Sequence, residues 1–466
     1  MIEDDWIGKF MERISTIAAI SSAQASAGIS VIRISGSEAI MIADKVFQSK
    51  SGKHLSEMKG YTCMLGAAYD CGDRIDECIA TVFREPHSYT GENVVELSCH
   101  GGVYITARVL RAVYNAGAEA AQAGEFTKRA FLNGKLDLIE AESVMDLISS
   151  RSKASLRAAL QVKEGALSRR INAVKDNLLD RAAHLNAWAD YPEEDIPAVE
   201  DNSLREALKT AKTELTDILH DYDNGRVLKD GIDTVIAGKP NVGKSTLMNL
   251  LAGYDKSIVT SIAGTTRDIV EESVSLGEIV LNLSDTAGIR ETKDEIESIG
   301  VNKAKTRAGS AALLLCVFDA SSPLSDDDRD IIAMAKDVPA VAILNKSDLP
   351  RGLDDSIIRE SFNEIVSMSA KFDDSAETLI GAIKRVCAVG DINSASTLIY
   401  NERQRTLTQK SVNSISEAIE TLHIGLTLDA VTVLIEEAIE YLCELTGESV
   451  TDEVIDKVFH QFCVGK

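Results

Sequence analysis

Hydrophobic and polar positions follow different periods in different parts of the chain. Up to about residue 130 the runs are short. GISVIRIS (28–35), ECIATVF (77–83) and NVVELS (93–98) are apolar and β-branched, and turn-rich pieces such as PHSYTGEN (86–93) separate them. They predict a mixed α/β segment. From about residue 135 the period lengthens. LDLIEAESVMDLISSRSKASLRAALQ (136–161) has helical spacing, and no glycine lies between Gly165 and Gly225. Pro192 and Pro197, in DYPEEDIP, break the helical run. Beyond about residue 231, DTVIAG, IVLNLSD, ALLLCVFD, AVAILN and EIVSMS alternate with helical stretches, which predicts a parallel sheet wrapped by helices. After about residue 392 helical spacing returns. Ile415, Ile419, Leu422 and Leu426 are four, three and four apart, and Leu434 or Ile435, Ile439 and Leu442 continue the stripe.

Both flanks of the α/β block are therefore helical. The simplest architecture inserts the block into one helical domain; two separate helical domains are the alternative. The expected boundaries are an N-terminal α+β domain over 1–133, a discontinuous all-helical domain over 134–228 and 391–466, and an inserted α/β P-loop domain over 229–390.

Composition narrows the function classes. The chain has 466 residues and is 45% hydrophobic, enough for roughly three domains with real cores. Its net charge of −24 argues against a generic basic nucleic-acid binder. Eight cysteines are scattered without a C-x-x-C pair, so reduced thiols in a cytoplasmic protein are expected. No apolar run is long enough to suggest a membrane span. STIAAISSAQASA (15–27) is weakly apolar, but the acidic MIEDDWIGKFMER before it is unlike the basic start of a signal peptide.

The chemistry is clearest in the α/β block. GKPNVGKS (238–245) fits the phosphate-loop pattern after a strand and before a helix. Its backbone N–H groups, from Asn241, Val242 and Gly243 onward, are suited to wrap phosphates. Lys244 reaches the β/γ-phosphates, Ser245 binds Mg²⁺, and Thr246 follows on the helix. DTAG (285–288) supplies Asp285, Thr286, Ala287 and Gly288, with Asp285 facing Mg²⁺ through water and Gly288 offering an N–H to the γ-phosphate. In NKSD, Asn345, Lys346 and Asp348 read the base: a carboxylate accepts guanine N1–H and N2–H, which adenine cannot offer. Ser369, Ala370 and Lys371 close over the base. Thr260, Ser261, Ile262, Ala263, Gly264, Thr265 and Thr266 form the connecting segment, with Thr266 as the switch threonine on Mg²⁺. Ile289 stands where many GTPases place a water-orienting glutamine, so hydrolysis needs another group.

GKPNVGKST, AGTTRD, DTAG and NKSD, together with NVVELSCHGG, GEFTKRAFLNGKLDLIEAE and the terminal CVGK, resemble the tRNA wobble-uridine modification GTPase family over nearly the whole chain. The resemblance implies a folate-binding-like N-terminal domain and a Ras-like G domain. It implies a GTPase, activated by K⁺, that forms a homodimer. An FAD-containing partner joins it in a heterotetramer or larger complex. Together they add an aminomethyl-type group to carbon 5 of the wobble uridine of certain tRNAs. A tetrahydrofolate derivative (5,10-methylene or 5-formyl) supplies the one-carbon unit. The resemblance places K⁺ on Asn241, Thr260, Ile262 and Thr265, with Glu297 orienting water. It places folate on Arg33, Glu96, Lys135 and Lys466, with Cys463 close to the chemistry. Whether that thiol is a nucleophile, an acid–base group or a packed side chain is open at this stage.

Some positions carry their own expectations. Arg33 is in register with Ile29 and Val31, so it should point where apolar residues point and need a partner. His100 reads as a structural histidine capping backbone. The family commonly has a Pro/Gly-rich stretch where this chain has ISSAQASAG (20–28), and the extension through about Arg13 is unusual. A ribosome-assembly or RNA-chaperone GTPase, and a switch that barely hydrolyses, are the competing classes.

Overall fold

The computed structural model describes residues 15–190, 201–220, 222–254, 272–277, 279–285, 312–372, 376–387 and 401–466. The chain divides into two compact units. One comprises Met1–Met145, Ser168–Asn186 and Thr432–Lys466; the other comprises Asp146–Leu167 and Ala187–Val431. It is a multidomain α/β and α fold.

The first unit is built on a seven-stranded sheet, in the order β3-β4-β5-β6-β2-β1-β7. The strands are β1 (Ile17–Ile20), β2 (Ile29–Ser35), β3 (Phe47–Ser49), β4 (Thr62–Asp70), β5 (Asp73–Phe83), β6 (Val94–His100) and β7 (Glu119–Ala120). All neighbours are antiparallel except β1 and β7. Side chains alternate faces along each strand. Ile32, Ile34, Val95, Leu97, Ala80 and Val82 turn one way and are buried with Ile42 of helix Ala39–Val46 and Val109 of helix Val103–Asn115. The opposite face carries the row Leu65, Ile79, Ser98, Val31, and next to it the row Cys63, Thr81, Glu96, Arg33. Arg33 is thus not on the core face with Ile32 and Ile34. Ile29, its companion in register, is 66% exposed.

Near β1 this second face is covered by Phe126, which is fully buried with Ile17 and Ala19. Phe126 belongs to the helix Glu125–Leu132. Beneath that helix Arg129 is buried, and its guanidinium donates to Ser15 O (2.8 Å), Glu92 Oε1 (3.2 Å) and Glu125 Oε1 (2.8 Å). Glu92 Oε2 also accepts from Ser35 Oγ at 2.7 Å. The helix Asp452–Phe459 packs Ile455 and Phe459 against Leu138 and Ala141.

The second unit holds a six-stranded sheet, β13-β12-β11-β8-β10-β9. Its strands are β8 (Ile232–Ala237), β9 (Glu272–Leu276), β10 (Ile279–Asp285), β11 (Leu313–Asp319), β12 (Ala340–Asn345) and β13 (Glu364–Ser367). Only β9 runs antiparallel to its neighbour. Helices Lys244–Tyr254 and Ala376–Val386 cover one face, with Leu251 and Leu379 fully buried. Helix Asp326–Met334 covers the other, with Ile331 and Ile332 buried. In the same unit, helix Asp201–His220 lies against helix Glu402–His423 through Leu208, Leu215, Ile415 and Ala418. Leu426, expected in that apolar stripe, lies beyond the helix end and is 56% exposed. Gly425 takes a positive φ just before it. In helix Leu428–Thr446 it is Ile435, not Leu434, that is fully buried. No helix among the described residues is long and apolar enough to cross a membrane.

Replacing Glu92 with Gln removes one of the two countercharges of the buried Arg129. Urea unfolding followed in the first unit is expected to show a loss of about 3 kcal/mol. A loss below about 1 kcal/mol would mean that Glu125 alone suffices.

Candidate nucleotide site and C-terminal tail

The order of strands reverses at β8, so a crevice opens at its carboxyl end. The loop 238–243 leaves β8 there and enters helix Lys244–Tyr254, whose amino end points its unpaired N–H groups outward. Asn241 (φ 62°) and Gly243 (φ 101°) both adopt left-handed backbone. Gly243 has no room for a side chain, since a Cβ would lie 2.3 Å from Asn345 Nδ2. Val242 turns its side chain into the core and uses only its backbone. Lys244 Nζ donates to Gly238 O (2.7 Å) and Lys239 O (3.0 Å), which lays its side chain along the loop. Ser245 and Thr246 sit in the first turn of the same helix.

The base-reading residues are joined to this loop. Asn345 ends β12, is buried, and bridges Val242 O (2.7 Å) to Ala370 N (2.9 Å). Lys346 pairs with Asp319 at 2.6 Å. Ser369 Oγ donates to Asp348 Oδ1 at 2.7 Å, and this bond holds the Asp348 carboxyl below its ordinary pKa. Lys371, close by, favours the same charged form. Asp285 closes β10 beside Ile236 of β8. Thr260, Ser261, Ile262, Ala263, Gly264, Thr265, Thr266, Thr286, Ala287, Gly288, Ile289 and Glu297 lie outside the described residues, as does the side chain of Asp285.

In the first unit, Arg33 and Glu96 are cross-strand partners bonded at 2.9 Å. The guanidinium lies 5.2 Å from the Tyr89 ring and 5.6 Å from the Phe126 ring. Tyr89 is held by Thr127 at 2.8 Å, and Lys135 donates to Pro86 O on the same 86–92 loop. The tail reaches this place. Val464 forms an antiparallel bridge with Ala123, Phe126 N donates to Lys466 O at 3.2 Å, and Ser21 Oγ donates to Gly465 O at 3.0 Å. Gly465 has φ 96°, and a Cβ there would lie 2.2 Å from Ile20 O. Burial, then the neighbouring Arg33, pushes the Lys466 ammonium pKa down; Glu96 and Cys463 act the other way. Cys463 is exposed.

Arg33, Glu96, Lys466 and Cys463 therefore converge, whereas Lys135 supports the loop that carries Tyr89. Tyr89, Phe126 and Ser21 were not singled out by the sequence; a lone aromatic in a turn-rich loop carries no local signal. Ser21 belongs to the ISSAQASAG segment, so the departure from the family pattern touches the tail itself. His100 does not cap backbone with its ring. Its Nδ1 meets Asp76 Oδ1 at 2.8 Å, and Asp76 accepts the His100 N–H at 2.8 Å. All eight cysteines are free thiols.

The chain matches the MnmE helical domain family over residues 138–463 and the N-terminus of the GTP-binding protein TrmE over 16–135. A tRNA modification GTPase MnmE of Alkaliphilus metalliredigens is 40% identical, covering 97% of this chain and 99% of that protein. The namesake protein of Clostridioides difficile is 38% identical over the same shares of the two chains. Among solved structures, a point variant of Aquifex aeolicus Era bound to GDP and AlF4⁻ is 27% identical with a TM-score of 0.25, covering 39% of this chain and 66% of that one.

A carboxylate accepts guanine N1–H and N2–H when ionised, so the expectation for Asp348 is nucleotide binding that persists above its pKa. Ser369→Ala removes the bond that depresses that pKa, so the acid limb of GDP binding should move to higher pH. Fluorescent-GDP titrations across the acid range check this, and an unmoved limb would contradict it.

Proposed function

The chain belongs to the MnmE family of tRNA modification GTPases, and from that membership we propose a specific reaction. It is a K⁺-activated GTP hydrolase that works with an FAD-dependent partner. Together they add an aminomethyl-type group to carbon 5 of the wobble uridine of certain tRNAs. The one-carbon unit comes from a tetrahydrofolate derivative.

The observation that carries this reading is the convergence of Arg33, Glu96 and Lys466 beside two aromatic rings. Two cations close enough to depress a lysine pKa suit an anion. Folate carboxylates meet that need, a carboxylate such as Glu96 suits the guanidine-like pterin edge, and Tyr89 and Phe126 offer flat faces. Lys135 would complete the set from the supporting loop. Cys463 brings a thiol to the same end of the sheet. The tail orders these groups, so Gly465 and Ser21 serve the site by position.

At the nucleotide, backbone N–H groups of 241–244 cradle the phosphates. Ser245 and Thr266 would hold Mg²⁺. Asn241, whose side chain is exposed at the loop, would hold K⁺ with Thr260, Ile262 and Thr265. These ions neutralise charge on the transferring phosphoryl. Glu297 orients water in place of Ile289. The expected insertion of the G domain (229–390) into a helical body (134–228 and 391–466) would let G-domain motion reach the flanking helices. The packing of helix Asp201–His220 on helix Glu402–His423 supports that.

The sheet face bearing Arg33 also exposes Ile29, Leu65 (45%) and Ile79 (43%), an apolar surface that supports a homodimer through this domain. A cytoplasmic complex with the FAD-containing partner and tRNA follows from the same reading. Family membership favours it over a ribosome-assembly role.

The test is GTP turnover at equal ionic strength in K⁺ and Na⁺, for wild type and Asn241→Ala. K⁺ should raise kcat by about a hundredfold, and the mutant should lose that gain. In parallel, tRNA from cells lacking the gene should lack C5-substituted wobble uridine. Equal rates in both cations, or unchanged tRNA, would overturn the corresponding half of the reading.

A further inference from the structure

We propose that Asp328 is a positioning residue for nucleotide binding, acting through Lys239 to hold the phosphate loop in shape. Asp328 lies on helix Asp326–Met334, is 1% exposed, and touches none of the GTP motifs by sequence. Its Oδ2 accepts from Lys239 Nζ at 2.8 Å. The same oxygen accepts from Ser325 N and Ser325 Oγ, each at 2.8 Å, which locks the carboxylate to the start of its helix. Lys239 is the second residue of the loop GKPNVGKS.

The loop needs such a hold. Gly243 takes its left-handed corner freely, but the one at Asn241 persists only if the surroundings over-determine it. Asn345 fixes its carboxyl end through Val242 O. Lys244 fixes its amino end through Gly238 O and Lys239 O. The Lys239–Asp328 pair anchors the same end to a second element, the helix Asp326–Met334. Removing one partner is costly because the carboxylate is buried and Lys239 is largely covered, with 19% of its side chain exposed, so a charge would be left uncompensated.

The same connection serves the other end of the ligand. Asp319, at the end of β11, accepts from Lys346 at 2.6 Å, and from Ser321 N and Oγ. Burial alone would raise the Asp319 pKa, but the bonds from Lys346 and Ser321 outweigh it and keep the carboxyl ionised. Residues 319–328 thus hold both the base-reading lysine and the phosphate loop, through one carboxylate at each end.

The experiment uses the full chain and fluorescent GDP and GTP. Variants are Asp328→Asn, Lys239→Met, Lys239→Arg and the double Lys239→Met/Asp328→Asn, with Tm recorded for each. Asp328→Asn and Lys239→Met should each weaken both nucleotides about tenfold. The double variant should be no weaker than either single, because the pair acts as one anchor. Lys239→Arg, which keeps the charge, should stay within about threefold of wild type. Turnover at saturating GTP should change far less than affinity. The proposal is overturned if Asp328→Asn binds as wild type does. It is equally overturned if the double variant regains wild-type affinity along with its Tm, since the pair would then matter only as a buried charge.

Discussion

A backbone forced into left-handed corners at Asn241 and Gly243 is the constraint around which the nucleotide-binding unit is organised. Such corners let successive N–H groups face one point, which is what a polyphosphate requires. The corner at Asn241 is unfavourable by itself, so neighbouring strands each contribute a brace. β12 ends in Asn345, buried between the loop and Ala370. The segment after β11 brings Asp319 and Asp328. The NKSD segment and the phosphate loop are therefore coupled mechanically, since Asn345 cannot shift without disturbing Val242.

The other unit solves a different problem. An arginine on a sheet needs a countercharge and shelter, and β6 supplies Glu96 directly across from it. Tyr89 and Phe126 shelter the flat guanidinium. The tail then adds a second cation at the same place, against electrostatic repulsion. Hydrogen bonds to Gly465 and Lys466, and the bridge at Val464, hold it there. The buried Arg129–Glu92 pair keeps the helix that carries Phe126 in place.

Much of the fold could be read in advance. Strands β2, β5, β6, β8 and β10 to β13 coincide with the short apolar runs, because that pattern is local. β1, β4 and β9 were not foreseen. β1 is half alanine, and β4 mixes glycine and alanine with exposed residues, so neither shows period-two alternation. Leu426 misled for the opposite reason: its spacing fits the stripe, but the helix stops before it.

The residue types are legible along the chain: phosphate-loop glycines, Asp348 of NKSD, and Arg33, Glu96 and the terminal Lys466 all stand there in order. What each of them meets depends on the fold. Ser21 and Gly465 are hydrogen-bonded although they lie 444 residues apart. Arg33 faces away from the core because sheet register, not apolar company in its own strand, sets which face is covered. Asp328 reaches the phosphate loop only because β8 and β11 are neighbours in the sheet. Local pattern reports which way a side chain points relative to its neighbours a turn or a pleat away. It carries no record of which distant strand will lie beside it, and that pairing is what assembles the sites.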